Sequence, residues 1–126
     1  LGLASGPVDN RLRFFLSRAF AGEVDQGLLD YAYDTMHQPG ARHAPLYFVS
    51  GQLFSPDIFE TVYKKLTVPS LVLYDTDPNV SFDLLPDLLD HNGAWEAVRI
   101  SNTRGLPHFE RLEITASIMD EFWSAR

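Results

Sequence analysis

The chain has 126 residues, of which 45% are hydrophobic and 21% are charged, a composition typical of one globular domain with a sizeable core. Its 17 acidic and 10 basic residues give a formal net charge of -7, which argues against nucleic acid and anionic membrane surfaces as partners. Because cysteine is absent, a disulfide framework, a thiol nucleophile and a Cys-ligated metal site are excluded.

The sequence carries no signal for a membrane segment. No stretch approaches the roughly 18 continuous apolar residues that a spanning helix needs. The first residues, LGLASGPVDN, lack the basic segment of a signal peptide. We therefore expect a soluble protein without a membrane span and assign it to the cytoplasm, although a chain without cysteine tolerates any redox compartment.

The first half of the chain carries mainly helical signals. A first helix is predicted from a cap at Asp9 or Asn10 to Gly22, and a second follows over residues 28–36. The run APLYFVSGQLF, residues 44–54, is typical either of a strand or of a buried helix.

A further helix start is predicted at Ser55 and Pro56. Serine can cap a helix, and proline is favoured at the first helical position because it lacks an N–H that would have no partner there. We expect this helix to end near Leu66, where the character of the sequence changes.

The second half of the chain alternates between strand and helix patterns. SLVLY, residues 70–74, is a mostly apolar run of the kind expected for a parallel strand covered on both faces. Residues 82–90 have helical leucine spacing with Pro86 in the first turn, AVRI at 97–100 is the next strand, and residues 112–123 form a last helix. This order predicts parallel strands whose carboxyl ends meet ligands at one edge of the sheet.

Two titratable residues follow these strands. Asp77 comes shortly after the first predicted strand, and His108 lies in the loop after the second. Neighbouring parallel strands lie about 4.8 Å apart, so their loops can bring a carboxylate to an imidazole. The carboxylate would fix the tautomer of the ring and stabilise the imidazolium that forms when the ring accepts a proton. A loop histidine is otherwise a common solvated turn residue.

The segments LVLYDTDPNV, AVRI and GLPHFE resemble, in this order, the C-terminal third of an α/β-hydrolase. The resemblance covers residues 66–126, and residues 1–65 resemble the helical cap that many members insert. It implies an α/β fold with the C-terminal part of a parallel sheet preceded by a cap, incomplete without the N-terminal half that carries the nucleophile. It also implies that Asp77 and His108 are the catalytic acid and base.

The resemblance favours Asp77 over Asp75 as the acid. Members of the family commonly end this strand with glycine and carry the acid three residues later, and Tyr74 holds the place of that glycine here. Pro78 also biases Asp77 towards an extended backbone. Asp75 remains the alternative acid, and its ordinary role would be to stabilise a turn.

The nucleophile is expected to lie outside this chain. The family places it on a turn of the form GxSxG, and the nearest match, Phe48 to Gln52, has phenylalanine where the first glycine belongs. Ser50 is therefore predicted to be an ordinary cap serine. The isolated chain, holding an acid and a base without an activated nucleophile, should be inactive.

The predicted function is hydrolysis of a carboxylic ester or a related acyl substrate by a Ser/Asp/His mechanism. Large apolar side chains in the first half fit a small apolar or acyl-bearing substrate, although such residues more commonly pack a core. An N-terminal hydrolase segment or another chain is expected to complete the sheet. The alternatives are a noncatalytic binding or assembly module and an enzyme with an aspartate nucleophile. No cofactor or metal is predicted, since the histidines lack metal-ligand spacing.

Overall fold

The computed structural model describes residues 7–126, with side chains from residue 10 onward. Within this part of the chain no helix is long and apolar enough to cross a membrane. The elements, in chain order, are α1 (Pro7–Ser17), α2 (Gln26–Met36), α3 (His43–Val49), α4 (Ile58–Thr61), a 3-10 turn (Tyr63–Lys65), β1 (Ser70–Tyr74), α5 (Leu85–His91), β2 (Trp95–Arg99), α6 (Pro107–Glu110) and α7 (Leu112–Ser124).

The two strands pair in parallel, which confirms the predicted mixed α/β character. The register sets Ser70 opposite Trp95 and Tyr74 opposite Arg99. The ladder is closed at its two ends by Ser70 N–H donating to Ala94 at 2.8 Å and Ile100 N–H donating to Tyr74 at 2.8 Å. The segments that follow β1 and β2 therefore leave the sheet at the same edge, as the order of strand, helix and strand predicts.

The connection between the strands follows from its sequence. Pro86 lies in the first turn of α5, where a missing N–H costs no helical hydrogen bond, and Leu88 is buried beneath the helix. Asn92 ends the helix, and its side-chain amide donates to the carbonyls of Tyr63, Lys64 and Leu66 at 3.1, 3.3 and 2.8 Å. The 3-10 turn is thereby attached to the start of β2.

The first half contains helices, and several of its helix boundaries differ from the predicted ones. The ambiguous run 44–54 contains α3, a helix rather than a strand. The helix predicted to start at Ser55 and Pro56 begins only at Ile58, because Asp57 has a φ of 52° in the left-handed region and cannot continue a right-handed turn. The predicted cap residues Asp9 and Asn10 lie inside α1, which ends at Ser17 rather than at Gly22.

Few large side chains are fully buried. The buried apolar residues are Phe20, Leu29, Leu88 and Ile100, and Thr103 and Thr115 are buried with them. Exposed large apolar residues are widespread; they include Phe14, Phe15, Tyr31, Leu46, Tyr47, Phe48, Val49, Leu53, Phe54, Val68, Leu112 and Trp123. All side chains of α3 are exposed. Among the described residues, much of the apolar surface is therefore not covered by the chain itself.

Candidate active site

The candidate site residues lie on the segments that follow the carboxyl ends of the two strands. Because Tyr74 and Arg99 are register partners at the strand ends, the segment that carries Asp75 and Asp77 and the loop that leads to His108 both begin at this edge. In open parallel sheets this is the edge at which ligands bind. The structure therefore brings both predicted loops into one region.

Asp75 holds the loop after β2. Its carboxylate accepts hydrogen bonds from Nε of Arg99 at 2.6 Å and from the backbone N–H groups of Asn102 and Thr103 at 2.9 and 3.4 Å. The side chain is only 7% exposed. The Arg99 hydrogen bond, supported by the two backbone N–H groups, keeps the pKa of Asp75 below its ordinary value of 3.8. Asp75 thus acts as an anchor for the loop, and no hydrogen bond in residues 7–126 joins it to His108.

Local contacts fix the path of the anchored loop where it leaves β2. Asn102 has a φ of 62°, a left-handed conformation that asparagine tolerates better than most residues. Thr103 is fully buried, and its hydroxyl donates to the carbonyl of Ile100 at 2.7 Å. The loop therefore leaves β2 in one defined direction and then runs past Asp77.

Asp77 is half-buried and faces Gly105. Its Oδ1 accepts the backbone N–H of Asn79 at 2.7 Å, a short turn around Pro78. Its Oδ2 lies 3.0 Å from the position that a Cβ on Gly105 would occupy, and Ala19 Cβ lies 3.8 Å from the same point. The backbone of the histidine loop can approach the acid this closely because residue 105 has no side chain.

His108 lies one turn beyond this contact. It is exposed near the start of α6, and its ring lies 4.7 Å from that of Phe109, centroid to centroid. Among the described residues no hydrogen bond joins His108 to Asp77. The two loops are neighbours, the carboxylate and the imidazole are not bonded to each other, and the partnership of acid and base stays a prediction.

Glu110 is a functional candidate that the sequence pattern did not indicate. Its Oε1 accepts the backbone N–H groups of Ala21 and Gly22 at 2.7 and 3.0 Å, and its Oε2 accepts that of Arg104 at 2.9 Å. The carboxylate therefore connects the turn after α1 to the histidine loop. Because Ala21 precedes Glu110 by 89 positions, no local spacing could reveal the contact.

A surface cavity of about 420 Å³ adjoins this carboxylate. The residues that line it come from the turn after α1, from the loop after β2 and from α6; they are Ala21, Gly22, Glu23, Asn102, Phe109, Glu110 and Arg111. The cavity therefore lies on the same boundary between the helical first half and the histidine loop.

Ser50 is exposed and ends α3, where its hydroxyl donates to the carbonyl of Tyr47 at 2.8 Å. This is the local bonding of a terminal helix residue, and in residues 7–126 no hydrogen bond connects Ser50 to Asp77 or His108. His37 and His91 likewise bond to carbonyls one turn earlier in their own helices, at 2.7 and 2.8 Å. The described chain contains no group of three or more His, Asp or Glu residues able to hold a metal ion.

Comparisons with known proteins add no relative to this description. No family model matches the chain, and neither the curated proteins nor the solved structures contain a match to it.

Proposed function

We propose that this chain forms the cap and the C-terminal portion of an α/β-hydrolase that cleaves a carboxylic ester or a related acyl substrate. The observation that carries the proposal is the parallel pair β1 and β2, with Asp77 and His108 on the segments that follow the two strands at one edge. That arrangement is the one in which loops from adjacent parallel strands assemble an acid and a base.

The open side of the sheet supports a further hydrolase segment as partner. Within the described residues the sheet has two strands, and its end bonds show that alternate residues from Ser70 to Tyr74 face β2. The N–H and C=O groups of Leu71 and Leu73 are therefore directed away from β2, available to another strand. Val68, just before this edge, is 63% exposed. A neighbouring strand would use these groups and cover the apolar approach to β1.

In this mechanism His108 is the general base and Asp77 its orienting partner. The imidazole accepts the proton of a hydroxyl nucleophile supplied from outside this chain, and then donates it to the departing alkoxide. The Asp77 carboxylate stabilises the imidazolium between those two steps. His108 is exposed near the start of α6, and exposed side chains change rotamer on the picosecond-to-nanosecond timescale.

The test uses the full polypeptide that the gene encodes, assayed with short-chain aryl esters. His108→Ala and Asp77→Asn should each lower kcat on the order of 10³-fold while leaving the melting temperature nearly unchanged. His91→Ala is the matched control, because its exposed ring bonds only within α5, and it should retain full turnover. The isolated 126 residues should be inactive. Full turnover in the His108→Ala variant would overturn the assignment of the base.

A noncatalytic binding or assembly module is the second candidate, and one observation favours it. The residue that lies directly against Asp77 is Gly105, which has no side chain that could serve as a base, whereas His108 is exposed and not bonded to Asp77. In that case the full polypeptide would fail to turn over esters and would not be labelled by a serine-directed phosphonate. Labelling of a single serine would exclude this candidate.

A further inference from the structure

We propose that Glu110 is a positioning residue that joins the turn after α1 to the loop carrying His108, so that the helical first half and the histidine loop act as one unit. The contact itself is independent of chemistry at the site, whereas the role assigned to His108 rests on the proposed function. We refer to the turn residues 19–22 as the cap turn.

The hydrogen bonds of Glu110 reach two segments at once. One carboxylate oxygen accepts two N–H groups of the cap turn, and the other accepts the N–H of Arg104. A carboxylate has room for about four such bonds, so three convergent donors use most of its capacity. Bonds to an ionised acceptor are stronger than neutral ones, and each of these is between 2.7 and 3.0 Å long.

Apolar contacts join the same two segments beside the carboxylate. The ring of Phe20, which is 2% exposed, lies 6.2 Å from that of Phe109, centroid to centroid. The α-carbon of Ala19 lies 4.0 Å from the position of a Cβ on Gly105. The cap turn therefore meets the histidine loop through an aromatic pair, a close backbone approach and the Glu110 carboxylate. Of the two rings, that of Phe20 is buried and that of Phe109 is 40% exposed.

The polar partners of the Glu110 carboxylate are backbone N–H groups. Within residues 7–126 no lysine or arginine side chain forms an ion pair with its carboxylate, so the polar partners are the three N–H groups. Removing the carboxylate would leave three donors converging on one vacated space, which opens on the adjacent cavity of about 420 Å³. Such a set of N–H groups binds small anions. Added formate should therefore replace the missing carboxylate.

The test measures amide hydrogen exchange in the purified chain. In Glu110→Ala the amides of Ala21, Gly22 and Arg104 should exchange at least about tenfold faster than in the wild type, because exchange follows local opening. The amide of Val72 in the sheet should be unchanged. Formate should restore protection of the three amides in this variant and have no such effect on the wild type. Glu113→Ala, which removes an exposed carboxylate from α7, is the matched control and should behave as the wild type.

Glu110→Gln keeps the test decisive if the alanine variant does not fold. Its carboxamide has one oxygen and one NH₂ group, so it can satisfy the donors of only one segment. Exchange should therefore rise either at Arg104 alone or at Ala21 and Gly22 together. Unchanged exchange at all three amides, or an equal rise that includes Val72, would overturn the proposal.

A kinetic measurement on the full polypeptide separates positioning from mere stability. If His108 is the base, Glu110→Gln should lower kcat about tenfold with KM nearly unchanged, since the misplaced ring affects the chemical step rather than binding. An unchanged kcat alongside the exchange effect would overturn the positioning role. A full polypeptide without ester turnover, but with the expected exchange pattern, would instead overturn the proposed function and leave the contact established.

Discussion

The two halves of the molecule use their apolar side chains differently. In residues 66–126 the apolar residues of β1 are half-buried, and polar side chains hold the loops around the strands. In residues 10–65, by contrast, all seven residues of α3 are exposed, although each half has two fully buried apolar residues, Phe20 and Leu29 here and Leu88 and Ile100 in the other. Both halves form helices, but only residues 66–126 form a sheet, and the strand β1 of that sheet is half-buried. Helical periodicity alone therefore does not supply the surface against which a helix must pack.

The largest expected effect on stability comes from a buried leucine of the first half, Leu29. Leu29 is 1% exposed, so Leu29→Ala should lower the free energy of unfolding by about 3 kcal/mol through lost burial and the cavity left behind. Chemical denaturation monitored by circular dichroism would measure it. An effect below about 1 kcal/mol would mean that burial of Leu29 does not hold α2 in place. Leu29 would then contribute no more to stability than the exposed apolar residues around it.

Replacing the loop anchor should have the next largest effect. Asp75→Asn removes the charge that pairs with Arg99 and weakens the bonds from Asn102 and Thr103, so the melting temperature at pH 7 should fall by several degrees. Asp90→Asn is the control, because Asp90 is exposed on α5. Equal melting temperatures for the two variants would contradict the anchoring role.

The same anchor predicts a pH dependence with a defined sign. Because the folded pKa of Asp75 lies below its unfolded value near 3.8, its contribution to stability is fully present above about pH 4. It is lost as the pH falls through the lower, folded pKa. The difference in melting temperature between wild type and Asp75→Asn should therefore be constant from pH 5 to 7 and shrink below about pH 4. A difference that grows on acidification would have the wrong sign.

A smaller effect is expected at the close approach to Asp77. A Cβ on Gly105 would lie 3.0 Å from Oδ2 of Asp77, so Gly105→Ala should shift that carboxylate and cost about 1 kcal/mol. Gly93→Ala is the matched control, since a Cβ there has no heavy atom within 4 Å, and it should be neutral or slightly stabilising. Thermal unfolding of both variants measures the difference, and identical shifts would show that the approach is not tight.

The smallest effect is expected on the exposed apolar surface. Phe48 is 57% exposed on α3, and Phe48→Ala should change the stability of the isolated chain by no more than about 0.5 kcal/mol. Chemical denaturation of the wild type and the variant, monitored by circular dichroism, measures the difference. A loss of 3 kcal/mol or more would place Phe48 in a core and remove the difference between the halves.

The parts of the fold that were predictable depend on local pattern. The strand at 70–74 and the position of Pro86 in a first turn were correctly predicted. Both depend on local chemistry: an apolar run favours a buried strand, and a proline without an N–H is tolerated in the first turn of a helix. The start at Ser55 and Pro56 failed because Asp57 adopts a left-handed conformation. The bonds of Asp75 and Glu110 were out of reach for another reason, since their partners are backbone groups brought together only by the tertiary fold.

The hydrogen bonds of the Asn92 side chain determine where the chain can be cut into fragments without losing contacts of β2. Its amide bonds to the carbonyls of Tyr63, Lys64 and Leu66, and the indole of Trp95 adds a bond to Tyr63 at 2.9 Å. A fragment cut between residues 65 and 66 would therefore lose acceptors that the start of β2 needs. The exposed segment just before α4, with its left-handed Asp57, lies outside this set of bonds. Limited proteolysis should consequently cut the chain first near Asp57, outside the bonds that hold the 3-10 turn to the start of β2.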